Sequence, residues 1–374
     1  MRVVVAPDSF KGTIDAADAA AALADGWRSV RPDDQVVCRP MADGGEGTLA
    51  AIVSAHPEAV TVEVPAVTGP DGSPVPGRFA LLPDGTAVVE LSVASGLPLL
   101  GGELLPLAAT TRGTGETIAA ALDAGATRLV IGLGGSASTD GGYGILAALG
   151  ARLLDAGGMT LADEPSELDQ ALSVARVFDT DGLRATPSGG VVLLTDVTNP
   201  LLGPRGAAAV YGPQKGAGER ELPLLEQRLT RLAELLGGDP ETPGAGAAGG
   251  TGYGLLAAWG AVVEPGAAAV AGLLDLPAAL AAADLLITGE GRFDATSLQG
   301  KAVGEVLGMA EAAGVRTAVV AGESDVAGVL TLTALAGSSA EARSDPARWL
   351  HRAGAQLAEA APSSRYGNPA RTPS

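Results

Sequence analysis

Both ends of this chain carry the same alternation of short apolar runs and Ala-rich helical stretches, and that alternation limits the fold more than any other feature. At the start, Arg2–Ala6 is a β-branched run punctuated by Pro7 and Gly12, then Asp15–Val30 has helical composition. Gln35–Arg39 and Thr48–Ala55 repeat the pair. Towards the other end, runs at Asp284–Thr288, Arg316–Ala321 and Val329–Ala336 alternate with helical stretches at Ala302–Ala313 and Pro346–Ala360. Strands that are apolar on both faces and alternate with helices belong to a parallel sheet covered on both sides. The middle reads differently. Val60–Leu91 is strand-like with turn signals at Gly69-Pro70-Asp71-Gly72 and Pro83-Asp84-Gly85, which predicts antiparallel or mixed pairing. Helices are expected at Gly115–Ala124 and Leu222–Leu236, buried strands at Arg128–Gly132 and Val191–Thr195, and a loop at Pro240–Gly254. The expected organisation is a doubly wound α/β domain built from residues 1–65 and 275–362. A mixed α/β domain, residues 66–274, is inserted into it, and 363–374 form a disordered Ser/Pro/Arg-rich tail.

Composition removes several function classes. Of 374 residues, 47% are hydrophobic, enough for a sizeable core, but only 3% are aromatic, too few for a base-stacking platform. The formal net charge of -19 repels nucleic acid and anionic membranes, so neither is expected as a partner. No stretch reaches the roughly 18 uninterrupted apolar residues of a membrane span; Pro265–Ile287 is interrupted by Asp275 and Asp284. The start of the chain does not read as a signal peptide, and a cytoplasmic location is expected. Cys38 is the one cysteine and lies in an apolar run, which excludes an internal disulfide and argues against cysteine-bound zinc. His56 and His351 lie outside every Gly-rich loop, which argues against a Ser–His–Asp triad.

The polar chemistry is concentrated in Gly-rich loops. Lys and Arg total 24, yet only Lys11, Lys215 and Lys301 are lysine, and each is adjacent to a glycine. A compact ammonium serves a phosphate as a point charge where Arg is no equivalent; each is weighed against a plain solvated loop lysine. Asp8-Ser9-Phe10-Lys11-Gly12 follows the first run and suits an anion site at a strand-to-helix turn. Asp43-Gly44-Gly45-Glu46-Gly47 offers two carboxylates to Mg²⁺ or to a substrate hydroxyl, or simply an acid at a helix start. The loop Gly132–Gly142 matches the dinucleotide fingerprint, with Asp155 at ribose-binding spacing, and this keeps an NAD-linked oxidoreductase as an alternative. Its Ser136, Ser138, Thr139 and Asp140 equally suggest a phosphate or Mg²⁺ loop. Asp196 ends a buried run and is either a catalytic carboxylate or a strand-end turn. Gly289-Glu290-Gly291-Arg292-Phe293-Asp294 through Lys301 concentrates two acids and two bases after another run. The loops around Lys11, around Asp43 and Glu46, and from Gly289 to Lys301 are expected on one sheet edge. Neither a Walker A motif nor the kinase H-R-D set occurs. Positioned carboxylates and cations are nevertheless what phosphoryl transfer demands of a protein.

Taken together, these segments resemble the bacterial class I glycerate kinases. APDSFKG (Ala6–Gly12), PMADGGEGT (Pro40–Thr48), GTGETI (Gly113–Ile118), GLGGSASTDGG (Gly132–Gly142), DVTNPLLG (Asp196–Gly203), GPQKGA (Gly212–Ala217), GAGAAGGTGYG (Gly244–Gly254) and ITGEGRFD (Ile287–Asp294) occur in family order. The resemblance departs at Ser138-Thr139-Asp140, at Ala295 and after Gly322. It implies a flavodoxin-like domain interrupted by a second α/β domain, with the site in the cleft. It also implies ATP- and Mg²⁺-dependent phosphorylation of D-glycerate to 2-phosphoglycerate, with 3-phosphoglycerate or a related hydroxy acid as alternatives. On that basis Lys11, Asp43 and Asp196 are the catalytic candidates. Ser9, Gly134, Gly135, Ser136, Asp140, Asn199 and Lys215 would hold substrate or phosphate. Gly44, Gly45, Gly289, Gly291 and Lys301 would hold the nucleotide, and Glu46, Glu290 and Asp294 the metal. The expected partners are the small molecules D-glycerate and ATP, and the chain is a monomer or homodimer.

Overall fold

The computed structural model describes residues 1–161, 165–298 and 302–362. Lys301 and the expected disordered tail 363–374 lie outside the described residues. In chain order the strands are β1 (Arg2–Val5), β2 (Gln35–Cys38), β3 (Val60–Thr68), β4 (Pro74–Leu81), β5 (Thr86–Glu90), β6 (Arg128–Gly132) and β7 (Arg152–Leu154). They continue with β8 (Val177–Asp179), β9 (Val191–Leu194), β10 (Val262–Glu264), β11 (Leu285–Phe293), β12 (Arg316–Ser324) and β13 (Leu330–Thr331). The chain forms two compact units. One comprises Met1–Met41 with the chain from Ala271 onward, and the other Ala42–Val270. The divisions fall earlier than the expected 65/66 and 274/275. The physical reason is that β3 pairs antiparallel with β4, from Val60↔Leu81 to Thr68↔Pro74, so the chain has already entered the inserted unit by Val60.

The outer unit has a five-stranded sheet in the order β13-β12-β11-β1-β2, parallel throughout. Numbered within the unit, this is the 2-1-3-4-5 order of flavodoxin-like sheets. Val3, Val5, Ile287 and Val320 from its strands pack with Leu23, Trp27 and Leu350 from helices. The first of those helices, Ala16–Val30, is N-capped by Asp15, whose side chain accepts from the Asp18 N–H. Helix Pro346–Ala360 is likewise capped by Asp345. The two helices pack backbone to backbone. A Cβ on Gly26 would lie 1.9 Å from the His351 carbonyl oxygen, and one on Gly354 would lie 2.1 Å from that of Leu23.

Two expectations in this unit are corrected. The strand expected to stop at Thr288 runs on to Phe293, because β12 extends beside it as far as Phe293↔Ser324. Gly289, Glu290 and Gly291 are therefore strand residues, not a loop. The last expected strand, Val329–Ala336, is a two-residue strand and then helix Leu332–Ala336, started by the Thr331 side chain accepting from the Ala334 N–H.

The inserted unit is a six-stranded sheet, β10-β9-β6-β5-β4-β3, mixed as anticipated: β3, β4 and β5 pair antiparallel, and β5, β6, β9 and β10 parallel. Phe79, Val89, Ile131 and Leu193 from the sheet join Ile118 and Ile145 from helices in its main core. The segment read as a loop, Pro240–Gly254, overlaps the start of helix Ala247–Trp259, but Ala248, Gly249 and Gly250 are left-handed, so the loop reading fails only for the helical residues beyond Gly250. Small residues that look like loop composition here serve close packing, since a Cβ on Gly249 would lie 2.1 Å from the Ser138 carbonyl oxygen.

Gly354→Ala should destabilise the outer unit by about 1–3 kcal/mol through overpacking against Leu23. Urea denaturation measures the loss; an unchanged midpoint would refute the interlocked-helix account.

Candidate active site

The functional candidates of the inserted unit gather at the carboxyl ends of parallel strands, where open sheets bind ligands. Glu90 ends β5, Gly132 ends β6 and Leu194 ends β9, and they are neighbours in register. Beyond them lies a cavity of about 390 Å³. One wall is Leu133, Gly134, Gly135 and Ser136; another is Thr195 and Val197; a third is Tyr211, Gln214 and Lys215; Glu46, Leu97, Pro98 and Ala248 complete it.

The loop Asp43–Gly47 belongs to this unit, not to the outer sheet edge where it was expected. Backbone packing holds it there. A Cβ on Gly134 would lie 2.4 Å from Gly45 Cα, one on Gly44 2.7 Å from Leu194 Cβ, and one on Gly266 1.9 Å from the Asp43 carbonyl oxygen. Gly44, Gly45 and Gly134 therefore bring backbones into contact. Asp43 Oδ1 accepts the Gly45 N–H at 3.0 Å, and Glu46 is exposed at the cavity rim. A residue that sequence reasoning missed holds the loop from behind. Glu90, 5% exposed, accepts from the Gly47 and Leu49 N–H groups at 3.2 and 3.1 Å and from Ser92 Oγ at 2.6 Å. It satisfies N–H groups left open at the start of helix Thr48–Ala55.

Lys215 is the pivotal cation. It is 2% exposed, and its Nζ donates to Ser136 Oγ at 2.9 Å and to the Ser138 carbonyl. An ammonium carries three donors, so one remains for a ligand. Burial lowers its pKa to about 7, while the charge of Asp140 pulls in the opposite direction. Asp140 does not face substrate as expected. At 2% exposure its Oδ2 accepts from Thr111 N–H and Oγ1 at 2.8 Å each and from Gly144 N–H at 3.2 Å. Its Oδ1 accepts from Gly142 N–H and Ser138 Oγ at 3.1 and 3.3 Å. The carboxylate is saturated, and it anchors the Ser136–Gly142 loop as well as balancing Lys215. Asn199 is similarly engaged: Nδ2 donates to the Arg205 carbonyl at 2.7 Å and Oδ1 accepts from Tyr211 Oη at 2.8 Å. Asp196, exposed at the end of β9, accepts the Gly266 N–H at 2.9 Å.

The fingerprint glycines do not open a dinucleotide-type helix. The helix after β6 begins only at Tyr143 and ends at Ala148, and Asp155 caps an exposed turn by accepting from Gly157 and Met159. The oxidoreductase alternative thus lacks the helix N-terminus that would hold a pyrophosphate.

In the outer unit, Lys11 is exposed in a tight turn closed by a Phe10↔Ile14 bridge, four residues before the Asp15 cap, and so is not at a helix start. Ser9 N–H donates to Asp8 Oδ1 at 2.6 Å. This turn lies over β11: a Cβ on Gly291 would be 3.3 Å from the Lys11 backbone nitrogen and 3.4 Å from Phe10 Cα. Asp294 Oδ1 accepts from Thr296 N–H and Oγ1 at 2.8 and 2.6 Å, a local cap. Glu290 differs, because its Oε1 is buried without a hydrogen-bond partner among the described residues. A buried carboxylate oxygen in that state fits a cation. Among the described residues no three acids, histidines or cysteines cluster, so Mg²⁺ here would take one carboxylate plus ligands from phosphate and water.

Missed residues of the cavity are Leu97, Pro98, Tyr211 and Gln214. Tyr211 immediately precedes the GPQKGA segment and Gln214 lies within it, so their closeness in sequence to Lys215 was the available signal.

Lys215 gives a pH signature. Its folded-state pKa is depressed to about 7 from 10.5, so between these values the unfolded chain binds a proton the folded one does not. Stability then rises with pH by about 1.4 kcal/mol per unit across that window, and the penalty is complete below it. Lys215→Met should remove this component; urea titrations of both proteins from neutral pH to the upper window test it, and parallel curves would refute it.

The comparisons with known proteins show the family. A family model described as Glycerate kinase family matches residues 3–362. The chain is 44% identical over 321 residues to a protein named Glycerate kinase from Bacillus subtilis (strain 168), covering 84% of this chain and 82% of that one. It is 42% identical over 309 residues to Glycerate 2-kinase of Escherichia coli (strain K12), covering 80% of each. A crystal structure of a candidate glycerate kinase 2 from Salmonella typhimurium LT2 superposes with a TM-score of 0.83 at 37% identity, covering 96% of this chain and 98% of that one. A match across nearly the whole chain, in sequence and in fold, places this protein in the glycerate kinase family.

Proposed function

We propose that this protein transfers the γ-phosphoryl group of ATP to D-glycerate, yielding 2-phosphoglycerate. The observation that carries this is the buried Lys215 ammonium at the wall of a cavity sized for a small molecule, with one donor in reserve. A desolvated cation attracts an anion far more strongly than an exposed one does. The glycerate carboxylate binds at Lys215 and Ser136, with Gly134 and Gly135 forming the backbone wall. Family membership supports a nucleotide co-substrate and a small hydroxy acid as acceptor.

Asp196 is the substrate-positioning carboxylate or base. The Gly266 N–H bond to its Oδ1 presets its orientation, and it stands next to cavity residues Thr195 and Val197. Asp43, oriented by Gly45, is the alternative for the same task. Lys11 supplies charge to the transferring phosphoryl group, which needs electrostatic stabilisation more than covalent chemistry. Mg²⁺, when bound with ATP, neutralises phosphate charge. Glu290 is its protein ligand, because its buried oxygen lacks a partner, while Glu46 is an exposed second candidate. Asp294, committed to Thr296, is the weakest of the three metal candidates.

Purified protein with D-glycerate, ATP and Mg²⁺ should form ADP, and phosphorus–proton NMR should place the phosphate on carbon 2. No ADP above the no-glycerate blank would overturn the assignment, and a signal on carbon 3 would correct the product. Lys11→Ala should lower kcat by about 10²-fold or more. Asp196→Asn should lower kcat by about 10²–10⁴-fold with little change in KM. Near-normal turnover in either variant removes that residue from the mechanism.

A further inference from the structure

Tyr211 lines the cavity, and a neighbour fixes where its hydroxyl proton points. The chain of reasoning begins at the Arg205 carbonyl, which can only accept a hydrogen bond. It therefore orients the Asn199 amide with Nδ2 towards itself at 2.7 Å. That leaves Oδ1, an acceptor, facing Tyr211 Oη at 2.8 Å. Tyr211 has one hydroxyl proton and spends it on Asn199. Towards the cavity it lines, its oxygen can then only accept. Burial also raises the pKa of this phenol, which keeps it neutral across the working range. On the same wall, four residues along the chain, protonated Lys215 offers only donors.

A cavity with a cationic donor and a neutral acceptor side by side is complementary to a molecule that has an anionic acceptor and a hydroxyl donor. A simple carboxylic acid satisfies the first group and leaves the second unpaired, and a second carboxylate would meet the tyrosine oxygen with repulsion. Resting on the function proposed above, we infer that Tyr211 is a specificity-determining residue that accepts a hydrogen bond from one hydroxyl of the bound hydroxy acid, with Asn199 as the positioning residue that locks its proton. Discrimination of this kind arises because an analogue lacking the hydroxyl leaves the Tyr211 oxygen without that partner.

The test compares three acids by titration calorimetry and by steady-state kinetics: D-glycerate, lactate, which lacks the 3-hydroxyl, and 3-hydroxypropanoate, which lacks the 2-hydroxyl. Wild-type protein should prefer glycerate over at least one deoxy acid by roughly ten- to a hundredfold. Tyr211→Phe should erase that preference by weakening glycerate and the deoxy acid that retains the bonded hydroxyl, with affinity for the disfavoured deoxy acid unchanged. Asn199→Leu keeps the phenol but frees its proton, and should reduce the preference in the same direction. Either variant retaining the wild-type preference, or Tyr211→Phe weakening all three acids equally, overturns the inference. If wild-type protein phosphorylates glycerate while both variants discriminate normally, only this inference falls. If wild-type protein neither binds the acids nor forms ADP, the proposed function falls with it.

Discussion

A lysine ammonium taken out of water is the constraint on which the candidate site depends. Desolvation of Lys215 is unfavourable by itself, and three neighbours offset it: Ser136 Oγ, the Ser138 carbonyl and the charge of Asp140. Those groups lie on one loop, Ser136–Asp140, and so the loop must be held still for the cation to be tolerated. Asp140 does this by gathering donors from Thr111, Ser138, Gly142 and Gly144. The architecture around the cavity follows from compensating one buried charge and then leaving one of its protons unspent.

The surrounding backbone achieves the required closeness through small residues. Gly134 meets Gly45, Gly266 meets the Asp43 carbonyl, and Gly249 meets the Ser138 carbonyl, all within the inserted unit. Glu90 then ties the Asp43–Gly47 loop to the end of β5. An acidic, aromatic-poor chain with 54 glycines is therefore not a floppy one. Its glycines allow backbone to pack on backbone where most folds interpose side chains.

Much of the fold was legible in the sequence because hydrophobic periodicity is a local signal. Helix Thr48–Ala55, strand Arg128–Gly132 and helix Pro346–Ala360 have the predicted limits. The failures share a cause. Gly289–Phe293 and residues 251–254 are glycine-rich, and local composition reads glycine as loop. The pairing of β11 with β12, and the packing of the Ala247–Trp259 helix on the Ser138 loop, are contacts between distant segments that local propensity does not encode. The domain boundary moved for the same reason, since β3 takes its partner from β4.

The sequence by itself determined the α/β class and the discontinuous outer domain, and it marked the Gly-rich loops as candidates for the chemistry. It also singled out Lys215 by type and by its glycine neighbour. Only the tertiary structure decided which polar groups are spent and which remain. Asp140 and Asn199 look like site residues in the sequence, but their hydrogen bonds go to the protein itself, and Tyr211, unremarked in the sequence, lines the cavity. Hydrogen-bond capacity is finite at each atom, and its allocation depends on neighbours far away in the chain. Residue identity supplies the donors and acceptors; folding assigns them their partners.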